Sequence, residues 1–357
     1  MNSSSECLQP SVASKAALPI IYSLLLTVGV CGNSISLWLF SSQMNRKTST
    51  HIYLTNLVFS NLLVCGIMPL IIAYYINGNQ WAPDSMTCKT IIGGVMLTMH
   101  SNMYISITIL CWIAISRYAT LMKHRDSMQE SLQYVYEKIF YGRILKKFRQ
   151  PQFAKYLCTG LWIIVMFLTT PIIVYYSVIQ SDQTQHHTCY NTKTEVGEHL
   201  YQISGLVASG VFFFFFAIVL LSYYLLTDHL KKMQTNTCIG KKNLIYKKVK
   251  RNIIVILVVL TICFVPYHIF KVAFYALALN TQDCYQLNYL IELKSFFFCL
   301  AVSRSSIDPI VYIFLDKTFK KHLFNLCRKS STLQLSNVSP MTKQDHEPTQ
   351  QSTPDKG

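Results

Sequence analysis

The chain has 357 residues, of which 51% are apolar and only 13% charged, and its formal net charge is +16. Too few charged side chains remain to coat a soluble globule, and the positive mean hydropathy of +0.30 agrees. The basic excess sits beside long apolar runs, so it reads as membrane topology and lipid-surface contact rather than as a nucleic-acid surface.

In lipid, every backbone N–H and C=O must be satisfied within its own segment, so a spanning helix needs about 20 apolar residues. Seven runs reach that length, at 18–40, 51–76, 88–121, 153–177, 200–228, 249–279 and 287–314. An all-α membrane protein is predicted: a seven-transmembrane bundle over 18–314 behind a polar tail at 1–17. A short amphipathic eighth helix at 315–327 and a disordered tail at 328–357 complete it.

Taken in order, the tail Met1 to Ala17 lacks the charged start and apolar centre of a cleavable signal, so the first run is expected to act as the signal. Gly93, Gly94, Thr98, His100, Ser101, Asn102 and Ser106 interrupt the third run, as suits a helix enclosed by other helices. Between the third and fourth runs, Leu132, Tyr136, Ile139, Phe140, Ile144 and Leu145 recur near helical spacing amid Lys and Arg. That pattern fits a helix lying on the inner leaflet, and a disordered insertion is the alternative. After the seventh run, Phe319, Leu323 and Phe324 oppose a basic face, which is the pattern of an interfacial helix.

Lys and Arg concentrate after the first run (Arg46, Lys47), between the third and fourth, between the fifth and sixth, and after the seventh. The positive-inside bias therefore puts the N-terminus outside and the C-terminus in the cytoplasm. Asn2-Ser3-Ser4 is then a glycosylation sequon on the outer side, whereas Asn337-Val338-Ser339 matches the same pattern on the inner side. Of twelve cysteines, only Cys7, Cys88, Cys189 and Cys284 lie in the oxidising compartment; these are the disulfide candidates, and spacing leaves their pairing open. Cys327, after the basic stretch, is a candidate for S-acylation.

Charged groups in or near hydrocarbon are costly, about 2.5–3.5 kcal/mol for a central Lys, so they usually face a cavity. His268 and Lys271 share one face of the sixth run, beyond Pro266. Lys294 stands near the start of the seventh, and His100, with Tyr104 one turn on, lies in the third. Together they make a candidate pocket for phosphate or carboxylate. In the alternative, the two lysines snorkel to the interface and His268 is a hydrogen-bonded core residue.

Several ordered motifs resemble those of rhodopsin-like G-protein-coupled receptors over residues 18–328. They are Gly32-Asn33, Asn56-Leu57 with Asn61-Leu62-Leu63, Trp81 before Cys88, Arg117-Tyr118, Trp162 with Pro171, Cys263 to His268, and Asp308-Pro309 through Tyr312. Phe264, Asp308 before Pro309, and His268-Ile269-Phe270-Lys271 are similar to the purinergic-receptor-like group, which recognises nucleotides and lysophospholipids. The resemblance implies a plasma-membrane receptor with heterotrimeric G protein and arrestin as partners, an anionic small-molecule or lipid ligand, and no cofactor. It also implies that Ser116, Arg117, Tyr118, Phe264, Pro266, Asp308, Pro309 and Tyr312 form the activation switch.

Two departures from that family stand out. Ser116 occupies the place of the acid that precedes the inner Arg, so Arg117 lacks an adjacent carboxylate worth about 1.5–3 kcal/mol, which favours the active arrangement. A decoy that does not couple is the opposite reading. The family's sodium pocket, an Asp in the second helix and an Asn in the seventh, here reads Asn61 and Arg304. Arg304 and Asp308 are four apart and can pair, with Asn33, Asn61 and Ser106 completing a polar cluster and the guanidinium standing in for the cation.

Phe212 to Phe216 occupies the stretch of the fifth helix where the family usually has a Pro, so a straighter helix is expected. A membrane hydrolase is the rival class, but His100, His187, His199 and His268 lack metal-ligand spacing. A transporter is disfavoured by the lack of a two-fold repeat in hydropathy.

Overall fold

The structure is a computed structural model that describes residues 11–42, 48–78, 86–126, 146–174, 199–235, 240–280, 283–315, 319–325 and residue 328. Seven long helices follow one another: α1 (Val12–Ser42), α2 (Ser49–Ile76), α3 (Met86–Asp126), α4 (Pro151–Val174), α5 (His199–Thr235), α6 (Gly240–Asn280) and α7 (Cys284–Leu315). A short α8 follows at 319–325, and there is no strand among the described residues. Each of α1–α7 contains a stretch long and apolar enough to cross a bilayer.

Several helices outrun their apolar stretches. α6 is helical from Gly240, although its apolar run begins near 249, and α5 continues to Thr235. The 41 residues of α6 amount to about 60 Å at 1.5 Å per residue, twice the hydrocarbon thickness, so the basic first turns continue the helix beyond the lipid. Hydropathy locates the membrane and not the helix end.

The helices close into a ring, with α1 against α2 and α7, α7 against α6, and α6 against α5. Within it, α3 touches α2, α4 and α5. In α3's apolar stretch 72% of residues are buried, against 22% in those of α4 and α5, which makes α3 the central helix. The outward faces carry Phe167, Ile163, Phe214, Tyr224 and Leu221, as a lipid-facing surface requires. α5 contains no proline, unlike α2, α4, α6 and α7.

Backbones approach most closely around α1. A Cβ on Gly29 would lie 2.7 Å from Cys65 Sγ and 2.9 Å from Ser306 Oγ; one on Gly32 would lie 2.8 Å from Pro309. Without a hydrophobic drive between helices in lipid, such small-residue contacts are the principal means of association. At the other end, Phe319 of α8 is buried against Phe40 and Tyr312, with ring centroids 5.2 and 6.2 Å away.

Candidate functional site

The polar core is assembled from four helices. Asn33 of α1 is buried and donates from Nδ2 to the carbonyls of Gly29 and Ser305, each at 2.9 Å. Asn61 of α2 donates from Nδ2 to Asp308 Oδ2 at 2.9 Å and to Asn33 Oδ1 at 3.3 Å. Arg304 Nη2 donates to the same Asp308 oxygen at 2.7 Å, and the pair is almost fully enclosed. Removing two charges from water costs several kcal/mol per ion, so this pair depends on the additional hydrogen bond from Asn61.

Arg304 has a second face. Its guanidinium carbon lies 5.3 Å from the centroid of the Phe264 ring, while Nε and Nη1 meet no acceptor among the described residues. A planar, weakly hydrated cation is suited to that position, since it can stack on a ring while pairing through one edge.

The remaining cluster members are placed less simply. Ser106 is buried, and its hydroxyl has no hydrogen-bond partner among the described residues. Asn102, one turn earlier on the same face, makes the cross-helix contacts instead: Nδ2 donates to Ser60 Oγ at 2.9 Å and Asn61 Oδ1 at 3.3 Å. The sequence marks Asn102 as a polar interruption of its helix without placing it in the cluster. Its spacing of four from Ser106 is the signal that could have done so.

At the other end of α3, Ser116 is buried and its hydroxyl lies 3.1 Å from Ser49 Oγ at the start of α2. The residue standing where the family has an acid is thus engaged across the bundle. Arg117 and Tyr118 fall on α3, but their side chains lie outside the described residues. Tyr312 is buried between Phe40 and Phe319, with Pro309 packed on Gly32 and Pro266 half-buried in α6.

The cationic candidates gather where α6 ends and α1 begins. Ser11 marks that end, its backbone N–H donating to Glu292 Oε1 at 2.6 Å. His268 is buried, its Nδ1 3.4 Å from Ser209 Oγ of α5, while Nε2 has no partner among the described residues. Lys271, also buried, and His100, half-buried on α3, both lie near enough to interact electrostatically with His268.

Both lysines rest on aromatic faces. The Lys271 ammonium is 5.9 Å from the Tyr267 ring, and that of Lys294 is 4.8 Å from the ring of Phe274. Gly205 makes room for this arrangement, because a Cβ there would meet Tyr275 Oη at 2.5 Å and Lys271 Cε at 3.0 Å. Tyr104 is half-buried and packs on the main core.

At the cationic end, one contact was not legible in the sequence. The His268 ring lies flat on Phe212 of α5, centroids 3.9 Å apart and planes 11° from parallel. Only the period of α5 decides which of five consecutive phenylalanines faces α6. Asn2, Cys7, Cys189, Cys327, the side chains of Cys88 and Cys284, and the helix expected between α3 and α4 lie outside the described residues. Among those described, no three His, Cys, Asp or Glu side chains gather to hold a metal ion.

Residues 32–135 and 136–312 match the family described as "7 transmembrane receptor (rhodopsin family)". The chain is 49% identical to "Probable G-protein coupled receptor 82" of Homo sapiens over 337 residues, covering 94% of this chain and 99% of that one. It is 28% identical to "Proteinase-activated receptor 2" of Bos taurus over 333 residues, 91% of this chain and 76% of that one. With a purinoceptor of Rattus norvegicus the identity is 27% over 314 residues, 88% and 80% of the two chains. These relatives are receptors and not enzymes. Seven membrane-length helices, a polar core that joins four of them and this match over most of the length lead to one conclusion: the chain belongs to the rhodopsin family of G-protein-coupled receptors, multi-pass plasma-membrane signalling proteins whose partners are G proteins.

Proposed function

We propose that this receptor passes an extracellular anionic signal, a lysophospholipid or a nucleotide, to heterotrimeric G proteins, and that it signals without ligand. The N-terminus faces outside, the C-terminus faces the cytoplasm, and arrestin is a further partner on that side. The observation that carries the ligand class is the buried His268, whose Nε2 has no partner among the described residues and which lies near Lys271 and His100. An incoming phosphate or carboxylate would accept hydrogen bonds from the Lys271 ammonium and from an N–H of His268, which are stronger for a charged acceptor.

Basal signalling follows from Ser116. A serine bonded to Ser49 offers Arg117 no carboxylate, so the resting arrangement loses a charge-assisted hydrogen bond of about 1.5–3 kcal/mol. The population of the active state rises accordingly, by about tenfold or more. Nucleotide exchange on a purified G protein, with membranes carrying wild type or Ser116→Asp and no ligand, tests it. Wild type should exceed empty membranes, and Ser116→Asp should fall at least tenfold. Wild-type activity equal to empty membranes removes basal signalling and leaves a ligand-dependent or non-coupling receptor.

A further inference from the structure

A line of buried contacts runs from the cationic end of the bundle into the polar core. His268 stacks on Phe212 at 3.9 Å, and Phe212 meets Phe264 edge to face at 6.0 Å. Phe264 lies against the guanidinium of Arg304 at 5.3 Å, and Arg304 holds Asp308 at 2.7 Å. All five side chains are buried, and they belong to α5, α6 and α7. In an interior packed at crystal density, a ring in such a line cannot tilt without displacing its neighbour.

Arg304 is where the aromatic part of this line becomes ionic. Its guanidinium carbon sits over the Phe264 ring and its Nη2 bonds Asp308. Any change in ring position therefore alters the balance between the cation–π contact and the ion pair. Lysine would keep the charge but lose the face, and glutamine would lose both. Asp308 also accepts from Asn61, so a displaced guanidinium is felt on α2 as well as α7.

We propose that Arg304 is a positioning residue that couples His268 to the polar core through Phe264, so that occupancy at the cationic end is sensed at Asp308. The functional meaning of this coupling rests on the reading of His268 as part of the ligand site; the coupling itself does not. An anion drawn to Lys271 and reaching His268 shifts the imidazole on Phe212, Phe212 shifts Phe264, and Arg304 redistributes between ring and carboxylate.

The test uses full-length receptor in detergent with carbon-13-labelled histidine, at one fixed pH and without ligand. The His268 resonance is identified by its loss in His268→Asn. Arg304→Gln combined with Asp308→Asn removes both charges, so no unpaired carboxylate is left buried. This pair of substitutions should displace the His268 resonance by more than its line width in the wild-type and Phe264→Tyr backgrounds. In Phe264→Leu it should leave the resonance in place.

A resonance that stays put in the wild-type background, or moves equally in Phe264→Leu, overturns the coupling. Should the charge-free pair fail to fold, Arg304→Lys in the same three backgrounds carries the same two outcomes. Lysophosphatidate and ATP are then added separately to wild type. Neither moving His268 counts against the ligand site while leaving the coupling intact, and the converse result separates them the other way.

Discussion

Two regions of this receptor handle buried polarity in opposite ways. Around α1, α2 and α7, Asn33, Asn61, Asn102 and Asp308 bond from one helix to the next, and the helices close to glycine contact at Gly29 and Gly32. Around the end of α6, Lys271, Lys294 and His268 rest against the rings of Tyr267, Phe274 and Phe212. The first region spends its polar groups on cohesion. The second lays its basic side chains against aromatic rings, and the site proposed for an anionic ligand lies there.

Four measurements would break or sharpen that contrast. The largest effect is expected from Arg304→Ala, which leaves Asp308 buried without its cation and should cost about 3–5 kcal/mol, read as a lowered melting temperature in detergent. Arg304→Leu with Asp308→Asn should recover most of that loss; no recovery would mean that the packing of Arg304, and not its charge, holds the core. Next, Gly29→Ala should cost about 1–3 kcal/mol, since Cys65 and Ser306 must move, whereas Gly66→Ala, with open space around it, should gain up to about 0.5–1 kcal/mol. Equal melting of these two variants would show that α1 is not closely locked.

In the second region the order of effects reverses. Lys271→Met should leave stability within about 1 kcal/mol of wild type and yet weaken binding of an anionic probe at least tenfold. A large loss of stability with unchanged binding would transfer Lys271 to the structural region. The smallest effect is a null one. Replacing sodium by N-methylglucamine should leave the melting temperature of the wild type unchanged, because the Arg304 guanidinium already faces Asp308. A sodium-dependent rise would show that a free cation still enters.

The parts of this picture legible in the sequence are those governed by local period. Apolar length marks the seven helices, and the spacing of four between Arg304 and Asp308 announces their pairing, because both effects act within one helix. The contacts of Ser116 with Ser49, Asn102 with Ser60, and His268 with Phe212 join different helices, and their registers depend on tertiary packing that no single run encodes. The ends of α5 and α6 lie beyond their apolar runs for a related reason: hydropathy falls at the lipid boundary, while backbone hydrogen bonding continues past it.

The bond from Asn33 to the Ser305 carbonyl has a consequence for how the receptor is made. The two residues are 272 positions apart, and ribosomes add roughly 5–20 residues per second, so Asn33 enters the bilayer on the order of 15–50 seconds before its partner exists. During that interval Asn33 can bond only to Gly29 and Asn61, and Gly29 can pack on Cys65, while Gly32 and the bond to Ser305 wait for α7. The join of α1 to α7 is therefore made after α1 has met α2, and a variant that weakens it, such as Gly32→Ala, is expected to lower the yield of mature receptor.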